Sequence, residues 1–240
     1  MTDPRDRLFV ALDFADATRA NRVVHHLGDS VSHYKIGLEL LFGGGLDLAQ
    51  DLKAEGKSIF LDMKLLDIGN TVEKATANIS IRGIDFLTVH GHDRKTLDAA
   101  IKGRGASSLK LLAVTVLTSL DQADLAEQGL SASPSEMVIR RARMAAEAGF
   151  DGCIASGEEA AAVRSATPMD FLIVTPGIRP AGSAARDQAR ITTPAKAISD
   201  GATHLVVGRP ITAAADPRAA AEAILTEMSS AVTSGVRASG

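Results

Sequence analysis

Short apolar runs alternate with helical segments along almost the whole length of this chain. Eight such runs are present, and each is followed by a segment with helical periodicity. The runs are LFVALD (8–13), SHYKIG (32–37), KSIFLDMK (57–64), IDFLTVHG (84–91), LKLLAVTVL (109–117), FDGCIAS (150–156), DFLIVTPG (170–177) and THLVVGRP (203–210). Near-continuous apolar strands separated by helices indicate a parallel sheet covered by helices.

The number of units selects between two α/β architectures. Eight units in about 230 residues favour a (β/α)8 TIM barrel that spans residues 1–240 as a single domain. A doubly wound sheet is the alternative, but no GxGxxG follows the first run, which disfavours it. We predict helices at about 16–27, 38–55 (broken at 43–45), 70–82, 93–101, 135–148, 158–165, 195–199 and 217–232. We expect residues 233–240 to form a disordered tail.

Composition narrows the class of protein. Hydrophobic residues make up 45% of the chain, which predicts a folded core, and the shortage of aromatics predicts an interior of Ala, Leu, Val and Ile. A net charge of −3 with scattered basic residues predicts no nucleic-acid partner. No apolar run reaches about 18 residues, so we expect no membrane span. The polar N-terminus, which lacks a signal-peptide core, and the single Cys153 predict a cytoplasmic protein.

Polar residues follow the predicted strands at their carboxyl ends, where barrels of this kind carry their chemistry. Asp62 and Lys64 are two apart on a strand and therefore point to the same face. Lys35, between Tyr34 and Ile36, needs a counter-ion, which Asp62 or Asp67 could supply. Alternating lysines and aspartates keep one another ionised. The other strand-end residues are Asp13, His90, Thr118, Pro176, Gly208 and Arg209.

Some of these residues, and Asn70 at the start of the helix after strand 3, also have a purely structural interpretation. Asp62 and Lys64 could form a structural ion pair at a strand end. Asp13 could cap the first helix, and Asn70 could be only a helix N-cap. His90 on its own is best interpreted as a hydrogen-bonded core histidine.

The segment VVGRP after the last strand predicts a phosphate site. Gly208 allows backbone N–H groups to approach a ligand, and Arg209 begins a short helix whose N-terminus attracts anions. Loops after strands 7 and 8 commonly hold phosphate in this fold. Arg179 and Gln188 from the loop after strand 7 could add donors.

The segment LDMKLLDIGNT (61–71) resembles the signature of the orotidine 5′-monophosphate decarboxylases. Further matches follow in the family's order: VALD (10–13), YKIG (34–37), TVLTS (115–119), TPGIRP (175–180), DQ (187–188) and VVGRPIT (206–212). Two departures are visible, since Gly69 stands where the family usually has Pro and Leu66 where His is common.

The resemblance implies conversion of orotidine 5′-monophosphate to uridine 5′-monophosphate, the last step of de novo UMP biosynthesis, with no metal or organic cofactor. It implies that Lys64 protonates C6, that Asp62 faces the substrate carboxylate, and that Lys35 and Asp67 complete the charge network. It also implies a homodimer in which the partner subunit supplies Asp67 and Thr71. The implied substrate-binding residues are Asp13, Lys35, Asn70, Thr71, Thr118, Pro176, Arg179, Gln188, Gly208 and Arg209.

Two rival functions remain open. One is a sugar-phosphate decarboxylase or synthase on a related barrel, which also carries a DxKxxD element. Those relatives use Mg²⁺ with an acidic residue at the end of strand 2, where this chain has Lys35, a cation that would repel the metal ion. The other is a phosphate-binding barrel without catalytic activity, which the four charged residues disfavour.

Overall fold

Eight parallel strands close into a barrel in chain order, with β1 paired to β8. The structure, a computed structural model, describes residues 3–180 and 192–237. The strands are β1 (Leu8–Ala11), β2 (His33–Gly37), β3 (Ser58–Leu65), β4 (Phe86–His90), β5 (Lys110–Val114), β6 (Gly152–Ile154), β7 (Leu172–Thr175) and β8 (His204–Val207). The predicted (β/α)8 TIM barrel is therefore confirmed.

Helices cover the outside of this barrel. They are α1 (Ala17–Leu27), α2 (Leu38–Leu40), α3 (Leu46–Ala54), α4 (Gly69–Ser80), α5 (Arg94–Arg104), α6 (Gln122–Glu127), α7 (Pro134–Glu147), α8 (Ala160–Ala166), α9 (Pro194–Ser199), α10 (Arg209–Thr212) and α11 (Pro217–Arg237). Within the described ranges, no helix combines the length and the apolar character needed to cross a membrane.

Two helices differ from the sequence prediction. Helix α6 lies in the segment after β5 that we interpreted as a loop. A reciprocal cap forms it, because the Asp121 carboxylate accepts from the Asp124 N–H and the Asp124 carboxylate accepts from the Asp121 N–H. Helix α11 continues to Arg237, past the predicted end at Val232. The last part of the expected tail, residues 238–240, lies outside the described residues.

Three phenylalanines form one layer of the barrel interior, on the amino-terminal side of the charged residues described below. Phe9, Phe60 and Phe86 meet edge to face, with ring centroids 5.0 Å apart for Phe9 and Phe86 and 5.2 Å apart for Phe9 and Phe60. Aliphatic residues from β5, β7 and β8 complete this layer. Ala, Leu, Val and Ile build most of the buried core, as expected, but three of the few phenylalanines are concentrated in this layer, where large rings fill the barrel.

Above this layer the inward positions become polar. On β3, Phe60 belongs to the apolar interior and forms part of the lining of a cavity, and the charged Asp62 and Lys64 line the same cavity. The period-2 alternation of a strand places Phe60 and Asp62 on one face, and Lys64 lines the same cavity. The apolar layer thus forms the floor on which the charged residues stand.

Candidate active site

A cavity of about 530 Å³ opens at the carboxyl ends of the strands. It lies where a (β/α)8 barrel is expected to hold its ligand. Nine of the sequence-predicted site residues line it: Asp13, Lys35, Asp62, Lys64, Thr118, Pro176, Arg179, Gly208 and Arg209. Glu39 also lines the cavity and was missed from the sequence, although its place directly after β2 could have indicated it.

Four charged side chains in the cavity lining form a continuous chain of ion pairs. The Lys35 ammonium donates to Asp13 Oδ1 at 2.9 Å and lies 3.5 Å from Asp62 Oδ2. The Lys64 ammonium donates to the same Asp62 Oδ2 at 2.8 Å. The order Asp13, Lys35, Asp62, Lys64 therefore alternates in sign. Asp13 does not cap α1, because Asp16 does so by accepting from the Arg19 N–H.

The alternating order fixes the ionisation of the two innermost groups. Burial alone would lower the pKa of Lys35, but attraction to Asp62 and Asp13 outweighs burial and raises it. Burial alone would raise the pKa of Asp62, but attraction to Lys35 and Lys64, with hydrogen bonds from Lys64 and Thr88, lowers it. Both groups are therefore charged at neutral pH.

The backbone at Lys64 is unusual. With φ at 49°, Lys64 is the one non-glycine residue with positive φ among those described. Such a conformation costs about 1–3 kcal/mol and persists where the surroundings hold it. The register between β3 and β4 also shifts between Leu61 and Leu65. The buried Thr88 fits into this irregularity and donates to Asp62 Oδ1, a contact that sequence reasoning missed.

Three predicted residues do not reach the cavity of their own chain. Asp67, Asn70 and Thr71 are exposed and lie outside the cavity lining. Of the two expected counter-ions of Lys35, Asp62 lies within reach, whereas Asp67 forms no ion pair within the described part of the chain; Asp13 is the closer second partner. Asn70 is not an N-cap, because α4 begins at Gly69. The prediction for Gln188 falls outside the described residues.

His90 differs from the expected hydrogen-bonded core histidine. Its Nδ1 is buried and has no hydrogen-bond partner among the described residues. Its ring stacks on His92 with centroids 4.6 Å apart. Burial, then repulsion from His92 and Lys64, lowers the pKa of His90 to about 4, so the ring is neutral near pH 7.

The fold and the cavity together define a class of protein. The fold is a (β/α)8 barrel, and its cavity joins a Lys–Asp–Lys core to two arginines, Arg179 and Arg209, beside the ends of β7 and β8. This arrangement is that of a barrel enzyme for a small anionic substrate.

Comparison with known proteins identifies the family. The model of the orotidine 5′-phosphate decarboxylase / HUMPS family matches residues 6–224. An orotidine 5′-phosphate decarboxylase of Rhodopseudomonas palustris (strain BisA53) is 54% identical over 236 residues, 97% of this chain and 100% of that protein. One from Methylorubrum extorquens (strain PA1) is 54% identical over 229 residues, 95% and 98% of the two chains. The chain therefore belongs to the orotidine 5′-phosphate decarboxylase / HUMPS family.

A solved structure agrees with this assignment. The crystal structure of orotidine 5′-phosphate decarboxylase from Lactobacillus acidophilus superposes with a TM-score of 0.81 at 39% identity, covering 92% of this chain and 98% of that one. The likeness spans the barrel rather than a local motif.

Proposed function

We propose that this protein decarboxylates orotidine 5′-monophosphate to uridine 5′-monophosphate and CO₂, the last step of de novo pyrimidine biosynthesis. The observation that carries the proposal is the Asp13–Lys35–Asp62–Lys64 chain in the lining of a cavity that Arg179 and Arg209 also line. Relatives that are 52–54% identical to this chain are named orotidine 5′-phosphate decarboxylase, which favours this activity over the HUMPS activity that the family name also includes.

The cavity suits a nucleotide with negative charge at both ends. Its volume of about 530 Å³ falls within the roughly 300–1,000 Å³ of small-molecule sites. Arg179, Gly208 and Arg209 are assigned to the phosphate, with Gln188 as a further donor. Thr118 and Pro176 are assigned to the pyrimidine, and Asp13 and Lys35 to the ribose hydroxyls.

The chemistry requires a cation at the reacting carbon. When the bond from C6 to the carboxylate breaks, CO₂ leaves and the electron pair stays on C6. No adjacent carbonyl delocalises this pair as an enolate. The Lys64 ammonium stabilises the developing charge and then transfers its proton to C6. Asp62, fixed in its ionised form, faces the departing carboxylate. Repulsion between the two negative charges raises the free energy of the bound substrate relative to that of the products.

This mechanism uses no metal or organic cofactor. A divalent cation bound at Asp62 would meet two ammonium groups, since Lys64 and Lys35 lie 2.8 and 3.5 Å from the same Asp62 oxygen. Like charges at such distances repel strongly in a partly buried site. A Mg²⁺-dependent sugar-phosphate synthase is the alternative activity, and its requirement for a metal ion distinguishes it from the proposed decarboxylase.

The active site is proposed to be shared between two subunits of a homodimer. Asp67 and Thr71 lie outside the cavity of their own chain, so they act only if a second copy brings them to it. Leu66 and Ile68, which flank Asp67, are 54% and 73% exposed. Neighbouring exposed apolar side chains on one segment are typical of a surface that a partner chain covers, which supports the proposal. We further propose that residues 1–240 act as one barrel domain in the cytoplasm.

A spectrophotometric assay of orotidine 5′-monophosphate tests the proposal. Ultraviolet absorbance should report its conversion to uridine 5′-monophosphate, and the rate should be the same after treatment with EDTA. No turnover of this nucleotide would refute the proposed activity. Loss of activity on chelation, restored by Mg²⁺, would favour the synthase alternative.

A further inference from the structure

Thr88 contacts both residues of the proposed reacting pair without reaching the cavity itself. It lies on β4, is fully buried, and is absent from the cavity lining. Its hydroxyl donates to Asp62 Oδ1 at 2.9 Å and accepts from the backbone N–H of Lys64 at 2.9 Å. A hydroxyl has one proton to donate and lone pairs that accept. One oxygen atom therefore links Asp62 to Lys64.

The link to Lys64 compensates for an irregularity in the sheet. Strands β3 and β4 pair at Leu61 with Leu87 and next at Leu65 with Val89. The β3 residues between these pairs have no regular partner on β4, and a buried N–H without a partner is costly. The Thr88 hydroxyl satisfies the Lys64 N–H at this point, where the Lys64 backbone has a φ of 49°.

The link to Asp62 orients its carboxylate. Because Thr88 occupies Oδ1, the other oxygen, Oδ2, faces the two lysines, 2.8 Å from Lys64 Nζ and 3.5 Å from Lys35 Nζ. Rotation of the carboxylate would break either the hydroxyl contact or the contacts with the lysines.

We propose that Thr88 is a positioning residue, whose hydroxyl holds the Asp62 carboxylate and the Lys64 backbone in the arrangement that decarboxylation requires. The inference rests on the proposed function, because it assigns a role within that reaction. Thr88 does not contact the substrate and acts through Asp62 and Lys64.

Two pairs of side chains isolate the hydroxyl. In the first pair, wild-type Thr88 is compared with Thr88→Val, which has nearly the same shape but no hydroxyl. In the second pair, Thr88→Ser, which keeps the hydroxyl, is compared with the similarly small Thr88→Ala, which lacks it. The matched control is Thr76→Val on α4, because Thr76 is also fully buried but its hydroxyl has no partner among the described residues. All variants are compared as full-length protein.

The Val and Ala variants should lose kcat by about 10–100-fold, with KM for orotidine 5′-monophosphate changed by less than about threefold. Thr88→Ser should retain most of the wild-type kcat, and Thr76→Val should match the wild type. The acidic limb of the pH profile should move to higher pH in Thr88→Val, because a hydrogen bond that lowers the pKa of Asp62 is lost. Wild-type kcat in Thr88→Val, or equal losses in Ser and Ala, would overturn the proposal.

Hydrogen exchange at the Lys64 amide gives a readout that does not need turnover. Exchange should be slow in the wild type and in Thr88→Ser, and clearly faster in Thr88→Val and Thr88→Ala. If the wild type does not turn over orotidine 5′-monophosphate, the proposed function fails, but amide exchange still decides whether the hydroxyl holds Lys64. Equal exchange rates in Thr88→Ser and Thr88→Ala would refute the positioning role directly.

Discussion

Gly37 leaves the space that the Lys35 ammonium occupies. A Cβ at position 37 would lie 3.0 Å from Lys35 Nζ and 3.3 Å from Asp13 Oδ1. Such distances are tighter than nine in ten real contacts of a Cβ atom, so the neighbouring atoms would have to move by a few tenths of an ångström. The absence of a side chain at Gly37 therefore belongs to the geometry of the ion pair between Lys35 and Asp13.

Gly37→Ala should impair activity more than stability. The methyl group would push the end of the flexible Lys35 side chain aside, and displacements well under 1 Å at a reacting site cost about tenfold in kcat/KM. Gly103→Ala is the contrasting variant, since its Cβ would be forced against the backbone oxygen of Glu73 on α4. It should lower the melting temperature while activity per folded molecule is kept. Equal kcat/KM in Gly37→Ala and wild type would contradict this interpretation.

Local patterns predicted those parts of the site that strands build by themselves. The two-residue spacing of Asp62 and Lys64 on β3 correctly predicted that they meet, although the end of this strand is irregular. Lys35 was predicted because a lysine in an apolar strand needs counter-ions. Which carboxylates supply them depends on the neighbouring strands β1 and β3, and Asp13 and Asp62, rather than Asp67, lie within reach.

Thr88 could not be found in this way. Its role depends on a register shift between β3 and β4, and the sequence of β4 alone reads as an ordinary buried strand. The extra helix α6 was missed because its signal is a short cap, Asp121 with Asp124, rather than an apolar periodicity. Register shifts between neighbouring strands and short capped turns are thus the features that sequence patterns leave out.

Arg209→Ala should mainly raise KM for orotidine 5′-monophosphate. A charge-assisted contact with phosphate is worth roughly 1.5–3 kcal/mol, so KM should rise by about 10–100-fold. The unphosphorylated nucleoside orotidine should be nearly indifferent to the change. Arg218→Ala is the control, because Arg218 pairs with Glu222 on α11, away from the cavity lining. Equal damage with both substrates would place Arg209 outside the phosphate site.

His204 should make the fold less stable in acid. Burial, then repulsion from Arg7, His33 and Lys110, lowers the pKa of His204 to about 3 from an ordinary 6.5. Protonation is thus easier in the unfolded chain, so stability is full above about pH 6.5 and falls as the pH drops towards 3.

His204→Gln should make the stability of the fold depend less on pH. Denaturant titrations between pH 7 and 5 should show a slope in the free energy of unfolding that is smaller than in wild type by up to about 1.4 kcal/mol per pH unit. His25→Gln, at an exposed position on α1, should leave the slope unchanged. An unchanged slope in His204→Gln would show that His204 is not buried as a neutral ring.

Lys64→Ala should remove turnover while binding is kept. Loss of a group that acts in the transition state lowers kcat far more than affinity, so kcat should fall by several orders of magnitude. Uridine 5′-monophosphate should still bind measurably by calorimetry, because its phosphate contacts remain. Lys102→Ala, which removes an exposed lysine paired with Glu73, should behave as wild type. A near-normal kcat in Lys64→Ala would make Lys64 a structural residue.

Mixing two inactive variants should test whether the site is shared. Lys64→Ala and Asp67→Ala homodimers should each be nearly inactive. After subunit exchange, a heterodimer has one site that lacks both side chains and one site with Lys64 of one chain and Asp67 of the other intact. Random exchange makes about half of the dimers mixed, so roughly a quarter of all sites should recover. If mass spectrometry confirms exchange and activity stays at the level of the separate variants, Asp67 acts within its own chain and the two-subunit site is wrong.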